Sequence, residues 1–218
     1  SLLNSQPMGF YTVSQLVQDA KRHKVEILPV CINQSSYEHT IVEYNNIMSI
    51  QLGFRQIKGL SESAIEQLVL NRPNSGYQRL SELKVLGLTQ KDLQQLASAD
   101  ALKCIVGNRY QSRWELIERN STLPLFRDLV EVDKHAFSPS ELETLFEDYA
   151  STGLTLNKHP ITLLDNANML TRFSRMTELA KLKHQSFVTV VGMVSGHACV
   201  GRPLAAAQLH PEPSASRA

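Results

Sequence analysis

Cysteine is scarce in this chain, odd in number and widely spaced along it. Three thiols, Cys31, Cys104 and Cys199, are spread over 218 residues. No CxxC pair occurs, and only Gly196-His197-Ala198-Cys199 brings a histidine close to a cysteine. That spacing argues against a disulfide framework or a structural zinc and implies a reducing compartment. Excess charge of one sign is also lacking: 22 Lys and Arg face 21 Asp and Glu, so overall charge selects no class of partner. No apolar run approaches the roughly 20 residues of a membrane-spanning helix. No charged segment followed by an apolar core opens the chain as a secretory signal would. A soluble, cytoplasmic chain without a membrane partner is the expectation.

Catalytic patterns are missing too. No close acidic pair stands at a strand end to hold two Mg²⁺ ions. Neither a Walker-type phosphate loop nor a GxSxG elbow is present. The seven histidines are scattered and read as structural or surface residues. No active site, metal or cofactor is expected within these residues.

What is present is a succession of short helices with a few strands. Thr12 and Gln15 form a capping box, and Val13, Leu16, Val17 and Ala20 repeat at the spacing of one buried helical face. Val25 to Val30 alternates as a strand does, and further extended pieces are expected at Thr40-Ile41-Val42 and Ser49-Ile50-Gln51-Leu52. Helices follow over 54–58, 62–71, 80–86, 90–101 and 109–119, separated by turns of which Arg72-Pro73-Asn74-Ser75-Gly76 is the plainest. Ser63 with Glu66, and Thr89 with Asp92, are candidate capping pairs. Residues 121–137 lack helical period. A helix is expected to start at Ser138-Pro139, with Glu141 as reciprocal partner and Leu142, Leu145, Phe146 and Tyr149 on its buried face. His159 before Pro160 suits a helix-to-loop turn. Phe187 to Val194 reads as a β-branched strand, and Pro203 to Ala218 as a disordered tail.

Two of these helical units share one feature. The first pivots on Ile57-Lys58-Gly59-Leu60-Ser61, the second on Gly87-Leu88-Thr89. In each, a glycine turn opens into a helix whose first N–H groups lack intrahelical partners, and a glycine lets a phosphate approach the backbone closely. Candidate contacts to a nucleic-acid backbone are therefore Arg55, Lys58, Gly59, Leu60 and Ser61 in the first unit, and Gly87, Leu88, Thr89 and Lys91 in the second. Lys and Arg outnumber Asp and Glu ten to seven over 50–120, whereas over 121–150 they are two to seven, which suggests different partners for the two regions. A plain αα-hairpin whose glycine merely ends a helix would show the same pattern.

A second candidate is Thr122-Leu123-Pro124-Leu125-Phe126. An extended peptide with adjacent aliphatic and aromatic anchors, preset by a proline, suits a hydrophobic pocket on a partner. The same residues could instead pack the linker onto its own domain.

The phrases Leu3-Asn4-Ser5-Gln6-Pro7-Met8-Gly9-Phe10-Tyr11, Leu16-Val17-Gln18-Asp19-Ala20 and Leu52-Gly53-Phe54-Arg55-Gln56-Ile57-Lys58-Gly59-Leu60 resemble the bacterial C-family DNA polymerases. So does Tyr149-Ala150-Ser151-Thr152-Gly153-Leu154-Thr155-Leu156-Asn157-Lys158-His159-Pro160. Within that family, of the polymerase III alpha-subunit type, the error-prone, damage-inducible branch is the nearest match. The resemblance runs from Leu2 to about Gly196 and implies a mainly α chain with short strands. It assigns the end of a fingers region to 1–48, tandem helix–hairpin–helix units to 49–120, and a linker with a clamp-binding-like peptide and a helix to 121–186. The first strand of an incomplete OB-type barrel falls at 187–196, and 197–218 is a non-family tail.

By the same resemblance, the Mg²⁺-binding palm of the full-length enzyme lies upstream. This chain is then a C-terminal fragment, inactive alone, that holds duplex DNA and tethers the sliding clamp through Thr122 to Phe126. There Leu125 and Phe126 match the anchors and Thr122 replaces the customary glutamine. Translesion synthesis after DNA damage, with other damage-tolerance accessory proteins as partners, is the implied process. Two other readings compete. One is a free-standing helix–hairpin–helix adaptor in DNA repair. The other, ranked last, is a hairpin-type glycosylase, which needs a catalytic aspartate or lysine shortly after the hairpin; Asp92 and Lys91 lie inside the second unit instead, and no base-flipping pocket is inferred.

Overall fold

Thr12 opens the first helix as expected. Its hydroxyl accepts the Gln15 N–H at 3.3 Å, and the Gln15 carboxamide accepts the Thr12 N–H at 2.9 Å. This closes a capping box ahead of α1 (Val13–Arg22). The computed structural model describes residues 2–7, 11–118, 139–174, 179, 181–183 and 186–192. After α1 come β1 (Ile27–Leu28), β2 (Thr40–Tyr44) and β3 (Ile47–Gln51), then a single 3₁₀ turn at Phe54–Gln56. The helices that follow are α2 (Glu62–Leu70), α3 (Leu80–Val85), α4 (Gln90–Ser98), α5 (Lys103–Val106), α6 (Arg109–Glu118), α7 (Glu141–Ser151) and α8 (Pro160–Asn166). Among the described residues the architecture is mainly helical with one small sheet, as the sequence implied. The chain divides into two compact units, 1–157 and 158–218.

The sheet has the order β1-β3-β2, with β1 parallel and β2 antiparallel to β3. Asn45 and Asn46, at φ of 52° and 62°, form the two-residue turn between Tyr44 and Ile47. Two successive positive φ values match the twist of a tight hairpin, and asparagine tolerates them better than most residues. β1 is shorter than its alternating pattern suggested because Pro29 has no N–H to extend the ladder. The strand faces are inverted relative to a simple amphipathic reading. Ile41, Ile47 and Met48 are exposed, while Ser49 and Gln51 are buried. The Ser49 hydroxyl donates to Glu26 Oε2 at 3.1 Å, and Gln51 Nε2 donates to the Pro29 carbonyl and the Ser35 hydroxyl, while Gln51 Oε1 is left without a partner.

A continuous core joins this sheet to the hairpin region within the first unit. Val17, Ile32, Phe54, Leu68, Leu83, Leu96, Leu102 and Leu116 are each sealed from solvent. At roughly 25 cal/mol per Å² of apolar surface, each such side chain stabilises the fold by about 1.5–3 kcal/mol before entropy is counted.

Several expectations are corrected. Ser61, not Ser63, caps α2, accepting the Ala64 N–H at 3.3 Å. α7 starts two residues later than expected: Ser140 is the cap and Glu143 its reciprocal partner, so Pro139 precedes the helix rather than opening it. Of the four residues assigned to its buried face, Leu145 is buried, but Leu142 and Phe146 are exposed. His159 caps a helix, α8, where a linker was read; its Nδ1 accepts the Ile161 N–H at 3.3 Å and Pro160 occupies the first helical position. α5 was not anticipated. The 54–58 helix shrinks to the 3₁₀ turn. Over Phe187–Gly192 no strand forms, because among the described residues no neighbouring strand offers a ladder; Val194 lies outside them.

Candidate nucleic-acid interface

The two glycine turns adopt the same conformation. Gly59 has φ +76° and Gly87 φ +71°, values that disfavour any side chain. A Cβ on Gly87 would meet nothing within 4 Å, and one on Gly59 would make only ordinary contact with the Gln95 side chain. Both turns are thus open to an approaching group. The leucine after each glycine, Leu60 and Leu88, packs inward against the core. The next residue in each case, Ser61 or Thr89, caps the helix.

One carboxylate joins the two turns. Asp92 Oδ1 accepts the N–H and hydroxyl of Ser61 at 3.2 and 2.9 Å. Its Oδ2 accepts the N–H of Thr89 at 3.2 Å and the Thr89 hydroxyl. The Asp92 N–H in turn donates to the Thr89 hydroxyl at 3.1 Å, completing the capping box anticipated from sequence. Burial would raise the Asp92 carboxyl pKa, but the hydrogen bonds from Thr89 and Ser61 outweigh it and hold the group below the usual range. Ser61 therefore fixes the first helix start to the second. At the N1 and N2 positions, the N–H groups of Glu62 and Ser63 and of Gln90 and Lys91 have no intrahelical carbonyl to meet.

The basic residues divide into two groups. Arg55 is turned inward: Nη1 donates to the Asn4 carbonyl at 2.7 Å and Nη2 to the Gln6 carbonyl at 2.9 Å, with Glu38 at 4.0 Å. Lys58 is held at the C-terminal end of α7, its N–H donating to the Ser151 carbonyl and its Nζ to the Tyr149 carbonyl, both at 2.8 Å. A cation is favourable at that end of a helix. Gly153 leaves space for the lysine stem, since a Cβ there would stand 3.2 Å from Lys58 Cε. Gln56 Nε2 adds a hydrogen bond to the Thr152 carbonyl at 2.6 Å. Lys91 is exposed and its side chain has no hydrogen bond or ion pair among the described residues. Thr122 to Phe126 lie outside the described residues.

Sequence reasoning missed the buttress behind the turns. Asp148 pairs with buried Arg109 and accepts from the Thr155 hydroxyl at 2.8 Å and Asn157 Nδ2 at 3.1 Å. Arg113 grips Glu147 through two hydrogen bonds of 2.9 and 2.6 Å and also donates to the Ser98 hydroxyl. Together these bind α6 and α4 to α7. His39, 5 % exposed, accepts the Gly53 N–H on Nδ1 at 3.0 Å. Burial first, and then the Arg55 charge, lower its pKa to about 4, so it is neutral in the fold. Among the described residues no three His, Cys, Asp or Glu gather as a metal site, and no helix is long and apolar enough to cross a membrane.

Comparison with known proteins agrees with this geometry. The profile of the helix-hairpin-helix motif matches residues 24–112. The error-prone DNA polymerase of Vibrio campbellii is 50% identical over 203 residues, which is 92% of this chain and 20% of that protein. The enzyme of the same name from Vibrio vulnificus is 47% identical over 198 residues, 90% of this chain and 19% of its own length. That of Saccharophagus degradans is 43% identical over 205 residues, 90% and 20% respectively. The chain thus spans about a fifth of the length of the curated relatives it matches. The resemblance read from its residues is the one these relatives carry.

Proposed function

We propose that this chain is the duplex-holding part of an error-prone DNA polymerase, gripping the DNA backbone at its two glycine turns. The observation that carries this reading is the shared Asp92 bridge, which holds two open helix starts in one fixed relation. Two phosphates of one strand then meet main-chain N–H groups, an interaction indifferent to base sequence. Lys91 supplies the cationic contact, whereas Lys58 and Arg55 shape the first turn from behind. The relatives' names and the helix-hairpin-helix match support the assignment.

The further steps rest on the resemblance alone: sliding-clamp tethering through Thr122 to Phe126, action in translesion synthesis after damage, and a cytoplasmic setting.

Fluorescence anisotropy with labelled duplexes tests the grip. Affinity should be equal for unrelated sequences and fall steeply as salt rises. Absent or salt-independent binding would overturn it. For the tether, replacing Leu125 and Phe126 by alanine should abolish co-elution with the clamp; unchanged co-elution would remove that part.

A further inference from the structure

Two of the three cysteines, 73 positions apart in sequence, come into contact. Cys31 Sγ and Cys104 Sγ are 3.5 Å apart, the first in the loop after β1 and the second in α5. Their backbones are held in place from both sides. The Ile32 N–H donates to the Ala101 carbonyl at 3.0 Å, and Asn33 Nδ2 donates to the Tyr77 carbonyl at 3.0 Å while reaching Cys104 Sγ at 3.5 Å. Cys104 is exposed and Cys31 half-buried, so both thiols can be reached. They line a cleft of about 560 Å³ with Gln51, Asp100 and Arg109. In that cleft Gln51 Oε1, Asp100 Oδ1 and Arg109 Nη1 have no hydrogen-bond partner.

We propose that Cys31 and Cys104 are a redox modification site, oxidised by hydrogen peroxide to a disulfide that ties the loop after β1 to α5. The hydrogen bond from Cys104, opposed by burial and aided by the N–H groups of Asn33 and Gln34 and the charge of Arg72, brings the Cys31 thiol down to about 6. That bond and burial push Cys104 upward. Cys31 is therefore the nucleophile and Cys104 the resolving thiol.

In the first step the Cys31 sulfur attacks one peroxide oxygen. An S–O bond forms and the O–O bond breaks, and sulfur gives two electrons to oxygen. The departing hydroxide leaves as water with the proton Cys31 released. In the second step Cys104 attacks the sulfenic sulfur; an S–S bond forms, the S–O bond breaks, and the leaving hydroxide takes the Cys104 proton as a second water. The net reaction is two thiols and one peroxide to one disulfide and two waters. Closure requires the sulfurs to move from 3.5 Å to roughly 2.05 Å.

The test uses the 218-residue chain carrying Cys199→Ser, treated with hydrogen peroxide, quenched with maleimide and mapped as non-reduced peptides. A Cys31–Cys104 linked peptide should appear, one per peroxide consumed, and vanish with dithiothreitol. In Cys104→Ser the oxidation should stop at a Cys31 sulfenic acid that dimedone captures, and in Cys31→Ser it should slow at least tenfold. Both thiols remaining open to maleimide after peroxide, or Cys104 oxidising as fast without Cys31, would overturn the proposal.

Discussion

The Asp92 carboxylate accepts both the N–H and the hydroxyl of Ser61 while capping its own helix with Thr89. The two glycine turns are thereby one object. Replacing Asp92 by alanine leaves the Ser61 and Thr89 donors without their partner and removes a capping interaction, at a cost of about 2–3 kcal/mol. Urea denaturation measures this. The same substitution should weaken duplex binding even under conditions where the variant is fully folded, because the helix starts lose their fixed relation.

Acid tests the same carboxylate. Its folded pKa lies below its unfolded value, so the stability it confers is complete above the unfolded pKa and is lost as pH falls through the folded one. Asp92→Asn should flatten that acid limb and leave the profile above about pH 5 unchanged in slope.

His39 acts in a separate window. Its folded pKa of about 4 lies below the unfolded value near 6.5, so the unfolded chain binds the proton first. Stability should be constant above about pH 7 and decline between roughly pH 6.5 and 4, by a total on the order of 3 kcal/mol. Unfolding midpoints at pH 7 and pH 5, compared with those of His39→Gln, isolate this contribution. An NMR titration of the ring should show it neutral at pH 5.

Lys91 and Arg55 should behave oppositely. Lys91→Ala removes a free surface cation and should lower duplex affinity several-fold, reducing the salt slope by about 1, with stability nearly unchanged. Arg55→Ala should leave the salt slope intact and cost about 1–3 kcal/mol of stability, since it strips the Asn4 and Gln6 carbonyls of a charged donor. Equal salt slopes for the two variants would count against the division of roles.

Asp148→Ala leaves the Arg109 guanidinium, 3 % exposed, without its ion pair. A buried charge deprived of its partner costs about 3–5 kcal/mol, so this variant should be among the least stable single substitutions in the chain. Thermal unfolding reads the loss directly.

Local chemistry was legible in the sequence where one segment carried the whole signal. The Thr12–Gln15 and Thr89–Asp92 boxes and the two turn glycines each depend on neighbours within a few positions. Register shifts arose where two plausible caps stood close together, as at Ser61 and Ser63 or Ser138 and Ser140. The Asn45-Asn46 turn was missed although two consecutive asparagines between apolar runs are a hairpin signal. The different settings of Lys58, Arg55 and Lys91 were not legible at all. They depend on carbonyls at Tyr149, Ser151, Asn4 and Gln6, which no local pattern brings near the turn. The contact between Cys31 and Cys104 is equally non-local.

The seat of Lys58 on the end of α7 has a practical consequence for dissection. A hairpin pair excised at 49 and 120 would keep every residue of both turns yet lose the carbonyls that orient the first of them. It would also forfeit the Glu147 and Asp148 anchors of α6. On the proposed reading the grip is therefore not portable as a peptide. Grafting it onto another scaffold requires carrying the later helix with it, as a keystone cut from elsewhere in the arch.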